Sequence, residues 1–400
     1  MENRFGTSAP FTIGAEEEFQ LVDPSTRELA PAIEAVIGAA PSGSERIARE
    51  LFQDCVEMCS PVFSNVGALA RQLPALRREV AKAAVAAEAA GVGLAASGLH
   101  PISDPFAQRF TPGERYERME EELGSLDRLQ IIYALHVHVA VPGGEATIRA
   151  TNTLLGHVPL FVACSANSPF WNGMDTGFAS ARVKIRDDSP RSGLPPTFRS
   201  WGEFEDYTSA LVTMGNIPDF SWFWWDVRPH PRLGTLELRV PDAQAEPDYA
   251  VALAALTQCL VATADDYAPE DARYVSENKW RSIRRGAGTR FHDFSRREEK
   301  GAHEVARDLV ARLRSGLSGP RVRSGARRDN EDPGSGHRRR DATGRLREAR
   351  RPRRRSGLPP ENHRSHLGAG FRRNLLPPST VCGGPARGVA TLPRTPRRPS

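Results

Sequence analysis

The 400-residue sequence lacks any run of eighteen apolar residues, and its N-terminus, MENRFGTSAPF, lacks the basic-then-apolar layout of a secretory signal peptide. Neither export nor membrane spanning is therefore expected, and the sequence predicts a cytoplasmic protein. Cysteine is also scarce, because the five cysteines form neither a C-x-x-C pair nor a zinc-binding spacing. We expect reduced thiols, mostly in the core, and no disulfide framework.

The common nucleotide-binding motifs are missing as well. No G-x-x-x-x-G-K-S/T occurs anywhere in the chain. The glycines at the start of GVGLAASGLHP precede the strand predicted there, whereas a dinucleotide-binding turn carries its glycines after the strand. Any nucleotide must therefore be held by another arrangement of residues.

Aromatic residues are almost absent from the last 80 residues. All six Trp and all six Tyr precede residue 281, and Phe371 is the only Phe, Trp or Tyr after residue 320. Residues 321–400 hold 21 Arg and 6 acidic residues, a net charge of +15, which leaves −10 for residues 1–320 given +5 for the whole chain. Such a segment is too poor in apolar residues to form a core. We place the boundary near residue 315, between a folded domain, 1–315, and an Arg/Pro/Gly-rich tail, 316–400.

Three interpretations of this tail remain open. It is a nucleic-acid-binding arm, a disordered spacer, or the translation in a shifted frame of a gene rich in G and C. The third is favoured by the amphipathic pattern EVARDLVARL at residues 304–313, which stops abruptly without a new domain starting.

Acidic, basic and apolar residues alternate in the part of the chain that can fold. In TIGAEEEFQL, residues 12–21, Glu16 and Glu18 share one face of a predicted strand, and Glu17 lies on the other face with the apolar residues. Two ionised carboxylates on one face, about 7 Å apart, repel each other. Water offsets this repulsion on an exposed face, and a cation offsets it in a cleft.

The same alternation recurs in three further predicted strands. Their ionisable pairs are His136/His138 in YALHVHVAV, and Asp226/Arg228 and Glu237/Arg239 in a hairpin predicted over residues 222–240. Four such strands predict an α+β fold, with one antiparallel sheet, an open polar face and helices on the other face.

Helical patterns surround these strands. Residues 66–90 predict a long amphipathic helix with a kink at Pro74, and residues 151–166 predict an apolar helix. In residues 44–62, Glu50 and Glu57 are seven apart, which places them on one side of a helix, or else CVEMC is a strand. The loop-rich segment 167–198, which contains Arg182 and Lys184, has the length of an active-site lid.

The predicted polar face collects carboxylates, imidazoles and guanidiniums. Mg²⁺ prefers oxygen ligands and bridges to phosphate, while Arg and Lys neutralise phosphoryl oxygens, so the mixture suits phosphoryl transfer. Each part also has a simpler interpretation. HVHV is typical of an exposed strand or a soft-metal site, Glu237 and Arg239 can pair along a strand surface, and the Trp residues at 222–225 favour core packing.

Five motifs then resemble one known family. In chain order they are IGAEEEFQLVDP, LHVHVAV, SANSPFWNGMDTGFASARVKI, WWDVRPHPRLGTLELRV and ENKWRSIRRG. In order and spacing they resemble the carboxylate–amine ligase family, also called glutamate–cysteine ligase type 2. The resemblance implies a glutamine-synthetase-like catalytic fold, ATP, Mg²⁺, and an acyl phosphate that an amine attacks. It extends to about residue 313.

The resemblance also implies roles for individual residues. Arg182 and Arg239 are the expected phosphate contacts, and Lys184, Arg239 and His138 are expected to bind the nucleotide. The expected metal ligands are Glu16, Glu18, Glu50, Glu57, His136 and Glu237.

We therefore expect an ATP- and Mg²⁺-dependent ligase that joins a carboxylate, such as the γ-carboxylate of glutamate, to an amine such as that of cysteine. Its partners are expected to be small amino acids, without a membrane or a nucleic acid, and the oligomeric state stays open, with a homodimer as one alternative. Two other functions remain as alternatives. A metal-dependent hydrolase would use the same face without ATP, and a nucleic-acid-binding protein would act through the basic tail.

Overall fold

The computed structural model describes residues 2–41, 46–87, 91–264 and 271–318. The chain divides into two units, Met1–Asn330 and Glu331–Ser400, and the second lies wholly outside the described residues. Of the predicted tail, only residues 316–318 are described, as the end of the last helix. The boundary near residue 315 and the three interpretations of the tail therefore remain predictions.

Thirteen strands and ten α-helices are present in the described residues. The strands are β1 (Ile13–Val22), β2 (Ile47–Arg49), β3 (Cys55–Cys59), β4 (Gly93–Ala95), β5 (Leu135–Ala140), β6 (Phe170–Trp171), β7 (Met174–Asp175), β8 (Ser192–Gly193), β9 (Trp224–Trp225), β10 (Val227–His230), β11 (Thr235–Leu238), β12 (Arg290–Asp293) and β13 (Glu298–Gly301). The helices are α1 (Ile33–Ala39), α2 (Val66–Ala86), α3 (Glu114–Leu123), α4 (Ser125–Arg128), α5 (Gly144–Ser165), α6 (Ala181–Asp187), α7 (Trp201–Thr213), α8 (Pro247–Ala262), α9 (Ala272–Arg285) and α10 (Ala302–Ser318).

A seven-stranded sheet organises the described residues. Its strand order is β10–β11–β5–β1–β3–β2, and every pair in it is antiparallel. Strand β4 also pairs with β1. Gln20 of β1 is opposite both Cys55 of β3 and Ala95 of β4, so β4 and β3 lie on different sides of β1. The predicted antiparallel sheet is confirmed, with β1 in its interior.

The alternation in β1 determines which face meets the helices. Ile13, Ala15, Phe19 and Leu21 are buried in the main hydrophobic core, together with apolar residues of β5, α2, α5 and α8. Residues between them point to the opposite face of the sheet, because successive side chains alternate along a strand. The predicted arrangement, an α+β fold with helices packed on one face of the sheet and polar residues on the other, is confirmed.

Two helices that the sequence predicts differ in length from the prediction. Helix α2 ends at Ala86 and contains Pro74, and the Asn65 side chain caps its start by accepting a hydrogen bond from the Ala68 amide at 3.1 Å. Helix α5 begins at Gly144, seven residues before the predicted start at 151. Among the described residues, none of the helices combines the length and the apolarity that a membrane crossing requires.

One interpretation of Glu50 and Glu57 is contradicted by the structure. The helical interpretation of Glu50 and Glu57 is wrong and the strand alternative is confirmed, because Cys55–Cys59 is β3 and Glu50 lies in the connection after β2. Segment 167–198 is loop-rich as predicted, since β6, β7, α6 and β8 cover fewer than half of its residues. Helix α6 is packed into the protein, with Arg182, Val183 and Arg186 buried.

A second, largely aromatic core lies beside the main one. Trp222, Trp225, Phe204 and Phe223 are among its buried members. The rings of Phe223 and Trp225 stack with their centroids 4.1 Å apart. The predicted packing role of these Trp residues is therefore confirmed.

The cysteines that the structure describes are all free thiols, in keeping with the prediction of no disulfide framework. Their predicted burial is wrong for three of the four, because Cys55 alone is buried, Cys59 and Cys259 are half-buried, and Cys164 is exposed. The fifth, Cys382, lies outside the described residues.

Candidate active site

The pleat of β1 separates the three consecutive glutamates. Glu16 and Glu18 lie on the polar face of the sheet, whereas Glu17 lies on the helical side and is only 2% exposed. Arg77 of α2 binds Glu17 in a bidentate ion pair, with nitrogen–oxygen distances of 2.9 and 2.5 Å. The same guanidinium donates to the carbonyls of Gln244 and Ala245. The predicted separation of Glu17 from its two neighbours is confirmed.

The register of the neighbouring strands brings further ionisable residues to Glu16 and Glu18. His136 of β5 lies opposite Glu16, and Glu57 of β3 lies opposite Glu18. Glu237 of β11 lies opposite His138 of β5. Since directly opposed residues share a face of the sheet, these side chains converge on one area, which we call the carboxylate cluster.

The two histidines of β5 contact Glu16 from adjacent positions. His136 Nδ1 is 3.3 Å from Glu16 Oε2, and His138 Nε2 is 3.3 Å from Glu16 Oε1. His138 Nδ1 forms a hydrogen bond of 2.9 Å with the Thr235 hydroxyl. Both histidines also lie 3.9 Å from Glu237 Oε1. The HVHV strand is therefore buried in the cluster, and its interpretation as an exposed strand is wrong.

Two arginines hold Glu237. Arg228 of β10 binds its carboxylate at 2.8 and 3.1 Å and donates to the carbonyls of Ser221 and Phe223. Arg239, which directly follows β11, also donates to Glu237 Oε1. Glu237 is fully buried, so the Glu237–Arg239 pair lies inside the cluster and not on a strand surface.

A group of three carboxylates occupies the other side of the cluster, and it comprises Glu18, Glu50 and Glu57. Glu18 accepts a hydrogen bond of 2.6 Å from the Ala134 amide, and Glu50 accepts one of 3.1 Å from the Leu51 amide. Glu57 accepts one from the Cys59 thiol at 3.2 Å. These contacts fix the orientation of the three carboxylates but contribute no positive charge.

The surroundings lower the pKa of two carboxylates of the cluster and raise the pKa of three others. Burial favours a raised pKa for Glu16 and Glu237, yet the histidines beside Glu16 and the arginines beside Glu237 hold both pKa values well below the usual range. Burial and the charge of Glu50 raise the pKa of Glu18 to about 8. The pKa values of Glu50 and Glu57 are raised by burial too, with a contribution from neighbouring carboxylates. Arg182 and Arg239 act to lower the pKa of Glu18, and Arg239 that of Glu50, but burial outweighs them on this side of the cluster.

The pKa values of the two histidines also shift in opposite directions. Burial, with the nearby Arg239 charge, lowers the pKa of His136 to about 4. Burial also disfavours the charged form of His138, but Glu16 and Glu237 outweigh this effect and raise its pKa. His136 is therefore a neutral imidazole near pH 7, the state in which a ring nitrogen can bind a metal ion.

The ligand atoms of the cluster are close enough to hold metal ions. In each of three groups, one potential ligand atom per residue lies within 4.8 Å of the others, and the groups are Glu16/His138/Glu237, Glu16/Glu57/His136 and Glu18/Glu50/Glu57. Glu16 and Glu57 each belong to two groups, so the three are continuous. The predominance of carboxylate oxygens among these ligand atoms fits hard divalent cations such as Mg²⁺.

Helix α6 brings Arg182, but not Lys184, to this region. Arg182 is 1% exposed and donates to the carbonyls of Val240 and Arg239 at 2.9 and 3.2 Å. Lys184 is two residues further along the helix, which turns it to the outer side, where it pairs with Asp188 at 2.6 Å and is about half exposed. The structure therefore places the other predicted site residues together and Lys184 apart from them.

A buried ionic network anchors α6 behind the cluster. Arg186 donates to Asp226, which immediately precedes β10, and Lys279 of α9 lies 2.8 Å from the same carboxylate. Lys279 also lies 2.6 Å from Asp187. Burial disfavours the charged form of Asp226, but Lys279 and Arg186 outweigh this effect and lower its pKa. The network ties α6, α9 and the hairpin together, and so fixes the position of Arg182.

A cavity of about 110 Å³ adjoins the carboxylate cluster. Its charged lining residues include Glu18, Glu50, Arg182, Arg239 and Asp54. The cluster therefore faces a space that admits a small molecule, which is the usual setting of an active site.

Arg228 was predicted to lie on the polar face but had no predicted role, and Asp54 was not predicted at all. Arg228 had a usable signal, because the predicted hairpin places it directly opposite Glu237, as the structure shows. Asp54 had none, since it lies just before β3 and its hydrogen-bond partner in the cavity lining, Tyr133, is 79 residues away.

The family model "Glutamate-cysteine ligase family 2(GCS2)" matches residues 12–329 of the chain. The Rubrobacter xylanophilus protein named "Putative glutamate--cysteine ligase 2-3" is 51% identical over 317 residues, which cover 78% of this chain and 86% of that protein. A Herpetosiphon aurantiacus protein named "Putative glutamate--cysteine ligase 2" is 37% identical over 313 residues, which cover 76% of this chain and 80% of that protein.

Two solved structures share the fold. Glutamate–cysteine ligase from Francisella tularensis in complex with AMP superposes with a TM-score of 0.58 at 12% identity, covering 79% of this chain and 80% of that one. A bifunctional glutathione synthetase from Pasteurella multocida gives a TM-score of 0.56 at 12% identity and covers 78% and 46% of the two chains. At this identity the likeness concerns the fold alone.

The fold is an antiparallel sheet with helices on one face and an acidic cluster on the other, and the family model and the relatives show that the chain is a ligase of the carboxylate–amine class. Because the family model matches residues 12–329 and the relatives are similar over most of the chain, the chain belongs to glutamate–cysteine ligase family 2. The predicted fold and the predicted family are thereby confirmed.

Proposed function

We propose that the protein joins a carboxylate, the γ-carboxylate of glutamate being the leading candidate, to a small amine at the expense of ATP. The observation that carries the proposal is the carboxylate cluster itself, in which Glu16 and Glu57 each link two of the three potential ligand groups. Family membership supports it, as does the fold likeness to a glutamate–cysteine ligase in complex with AMP.

The proposed reaction has two chemical steps. A carboxylate oxygen of the first substrate attacks the γ-phosphorus of ATP, which releases ADP and leaves an acyl phosphate. The amine then attacks the carbonyl carbon, the carbon–oxygen bond to phosphate breaks, and an amide and inorganic phosphate result, with one proton lost from the nitrogen. Cysteine is one candidate amine.

The roles of the cluster follow from its charges. Glu16, Glu18, Glu50, Glu57, His136 and Glu237 would hold Mg²⁺, with His138 beside them. Bound Mg²⁺ supplies charge neutralisation on the phosphate oxygens.

Arg239 and Arg182 contribute fixed positive charge near Glu18, where burial of the site strengthens electrostatic interactions with a transferring phosphoryl group. Lys184 has no direct role in this proposal, since it faces away from the cluster. The buried position of the cluster limits the access of water to an acyl phosphate.

The test is ADP release by the purified full-length protein. Release should require Mg²⁺, a carboxylate and an amine together, and should be abolished by EDTA and restored by added Mg²⁺. Glutamate is screened against the common amino acids, starting with cysteine. Equal phosphate release with and without the amine would contradict the proposal and favour a hydrolase on the same sheet face.

A further inference from the structure

Asp242 is a buried carboxylate beside the site, and the proposed reaction assigns it no role. It lies shortly after β11, and its side chain is completely buried. Oδ2 accepts hydrogen bonds from the Asn167 amide at 2.8 Å and from the Ser168 hydroxyl at 2.7 Å, and Oδ1 accepts one from the Ser180 hydroxyl at 3.0 Å. One carboxylate therefore binds both ends of residues 168–180, the segment that contains β6 and β7.

The backbone joins the same two ends and extends the connection to α6. The Ser168 amide donates to the Ala179 carbonyl at 3.2 Å, and the Ala181 amide donates to the Ser168 carbonyl at 3.0 Å. The Ser168 hydroxyl, which donates to Asp242, also accepts a hydrogen bond of 3.2 Å from the Arg182 amide. Asp242 therefore fixes the backbone of Arg182 through Ser168.

The guanidinium of Arg182 is held by the same stretch of chain. Its nitrogens donate to the carbonyls of Val240 and Arg239 at 2.9 and 3.2 Å, and Asp242 Oδ1 lies 3.6 Å from Nη1. Residues 239–242 thus place two carbonyls and one carboxylate around a single guanidinium. At 3.6 Å the carboxylate contributes charge and not a hydrogen bond.

Arg182 keeps a donor for a ligand. Its Nε is buried and has no hydrogen-bond partner among the described residues. Arg182 also lines the cavity beside the carboxylate cluster. The contacts with residues 239–242 therefore orient the guanidinium without using all of its N–H groups.

The packing of Gly98 restricts the position of Asp242 in turn. A Cβ at residue 98 would lie 2.6 Å from the carboxyl carbon of Asp242, which is closer than two such atoms can approach. The Gly98 amide also donates to the Asn167 carbonyl at 3.1 Å. The carboxylate is therefore confined by hydrogen bonds on one side and by a glycine backbone on the other.

We propose that Asp242 is a positioning residue of the ligase, which holds Arg182 where it contacts the transferring phosphoryl group. This inference rests on the proposed function and adds to it a residue that touches no substrate. Asp242 is not one of the described residues that line the cavity, so it acts through Arg182. The rival outcome is that Asp242 stabilises the fold and nothing more.

The first test is a double-mutant cycle on kcat for ADP release, with ATP, Mg²⁺, glutamate and the best amine. Asp242→Asn should lower kcat about 10- to 100-fold, because a misplacement of about 1 Å at a catalytic group can cost 10²-fold. In an Arg182→Ala background, Asp242→Asn should lower kcat less than about threefold, because the residue that it positions is gone. Effects that multiply in the double variant would show that Asp242 acts independently of Arg182 and would overturn the assignment.

Glu17→Gln is the matched control, since Glu17 is also a buried carboxylate and pairs with Arg77 on the helical side of the sheet. It should leave kcat per folded molecule unchanged in both backgrounds. Asp242→Asn should lower kcat without changing KM for glutamate or the amine, because the contact that it disturbs is made to the transferring phosphoryl group. Less folded protein with a wild-type kcat per folded molecule would establish the rival outcome.

Gly98→Ala tests the same claim without removing a charge, and covers the case in which Asp242→Asn does not fold. The added methyl should displace the Asp242 carboxylate and lower kcat about tenfold or more. Gly38→Ala is the control, because the described residues leave open space around a Cβ at residue 38, and it should turn over like the wild type. A wild-type kcat for Gly98→Ala would contradict the proposal.

Hydrogen exchange separates this inference from the proposed function, because it requires no turnover. Asp242→Asn and Ser180→Ala should speed exchange of the amides in residues 167–182, including that of Arg182, about tenfold or more, since each loses a hydrogen bond to a buried charged group. Amides of α7 should exchange as in the wild type. Unchanged exchange in residues 167–182 would refute the positioning of Arg182 by Asp242. Absence of ADP release by the wild type with every substrate pair would refute the proposed function, while the exchange rates would still decide whether Asp242 holds Arg182.

Discussion

Glu16, Glu17 and Glu18 are consecutive and chemically identical, yet the pleat of β1 gives them different partners. Glu16 contacts two histidines, and Glu18 belongs to the group of three carboxylates. Glu17 is bound by Arg77 on the helical side of the sheet. Position on the strand therefore separates two residues of the proposed chemistry from one that stabilises the fold.

The isosteric changes Glu16→Gln, Glu17→Gln and Glu18→Gln should accordingly differ. Loss of either carboxylate on the cluster side should lower turnover on the order of 100-fold, the typical effect of removing one charge-stabilising group. Glu17→Gln leaves Arg77 without its charge partner and should cost about 3 kcal/mol of unfolding free energy, with little loss of turnover per folded molecule. ADP release and urea denaturation of the three variants provide the measurements. A loss of turnover confined to Glu17→Gln would show that the assignment of faces is wrong.

For single residues, the face of the strand could be predicted from the sequence, but a contact with a residue distant in the sequence could not. The period of two along β1 was sufficient to separate Glu17 from its neighbours. The partner of Glu17 was not predictable, because Arg77 lies sixty residues away on α2. Lys184 was expected at the site together with Arg182. Both lie on helix α6, where a two-residue offset reverses the direction of a side chain, so Lys184 points away.

At the scale of elements, a buried ionic network holds α6 in place. Asp226 lies between Arg186 of α6 and Lys279 of α9, and all three side chains are almost completely buried. Arg182, the predicted phosphate contact, is on the same helix. Changes in this network should therefore affect both stability and the position of the helix that borders the site.

Asp226→Asn should reduce the unfolding free energy by about 3 kcal/mol or more near pH 7, because Arg186 and Lys279 lose a buried partner. The folded pKa of Asp226 is lowered, so its contribution is present above the unfolded pKa of about 3.9 and is lost as the pH falls through the folded pKa. The difference between wild type and variant should thus be constant above about pH 5 and shrink in more acidic solution.

Urea denaturation between neutral and acidic pH measures this difference. Asp188→Asn is the control, because Asp188 pairs with Lys184 on the surface and exposed pairs contribute little. A difference that stays constant into acid, or an Asp226→Asn variant as stable as the wild type, would show that the network does not stabilise the fold.

The sequence predicted the longer elements better than the short ones. Ten residues of alternation identified β1, and the hairpin of β10 and β11 followed from its pattern and turn. Strands β6 to β9 have only two residues each, which is too short for a period to appear. Glu50 and Glu57 were ambiguous for a related reason, since a spacing of seven suits a helix while the strand CVEMC has only five residues.

At the scale of the whole molecule, α10 connects the end of the described chain to the core. Leu309 and Leu313 are buried in the main hydrophobic core. The composition of residues 321–400, with 21 Arg and one aromatic residue among Phe, Trp and Tyr, predicts no comparable contribution. These two parts of the sequence should therefore respond differently to truncation.

A chain that ends after Ser318 should unfold at the same temperature as the full chain or above it. A chain that ends after Gly301 should unfold at least about 5 °C lower, because removal of two buried leucines costs several kcal/mol. Differential scanning calorimetry of the three proteins measures both effects. A drop of several degrees after Ser318 would mean that residues 319–400 pack against the domain and that the boundary near residue 315 is wrong.

The central claim is that the carboxylate substrate is phosphorylated before the amine attacks it, and transfer of ¹⁸O tests this most directly. The wild-type protein is given glutamate labelled with ¹⁸O in its γ-carboxylate, together with ATP, Mg²⁺ and the best amine, and the phosphate formed is analysed by mass spectrometry. An acyl phosphate requires that one carboxylate oxygen leave with the phosphate, so each phosphate should carry one ¹⁸O. Phosphate without the label, formed at the same rate as ADP, would show that water had attacked ATP and would contradict the proposed ligase.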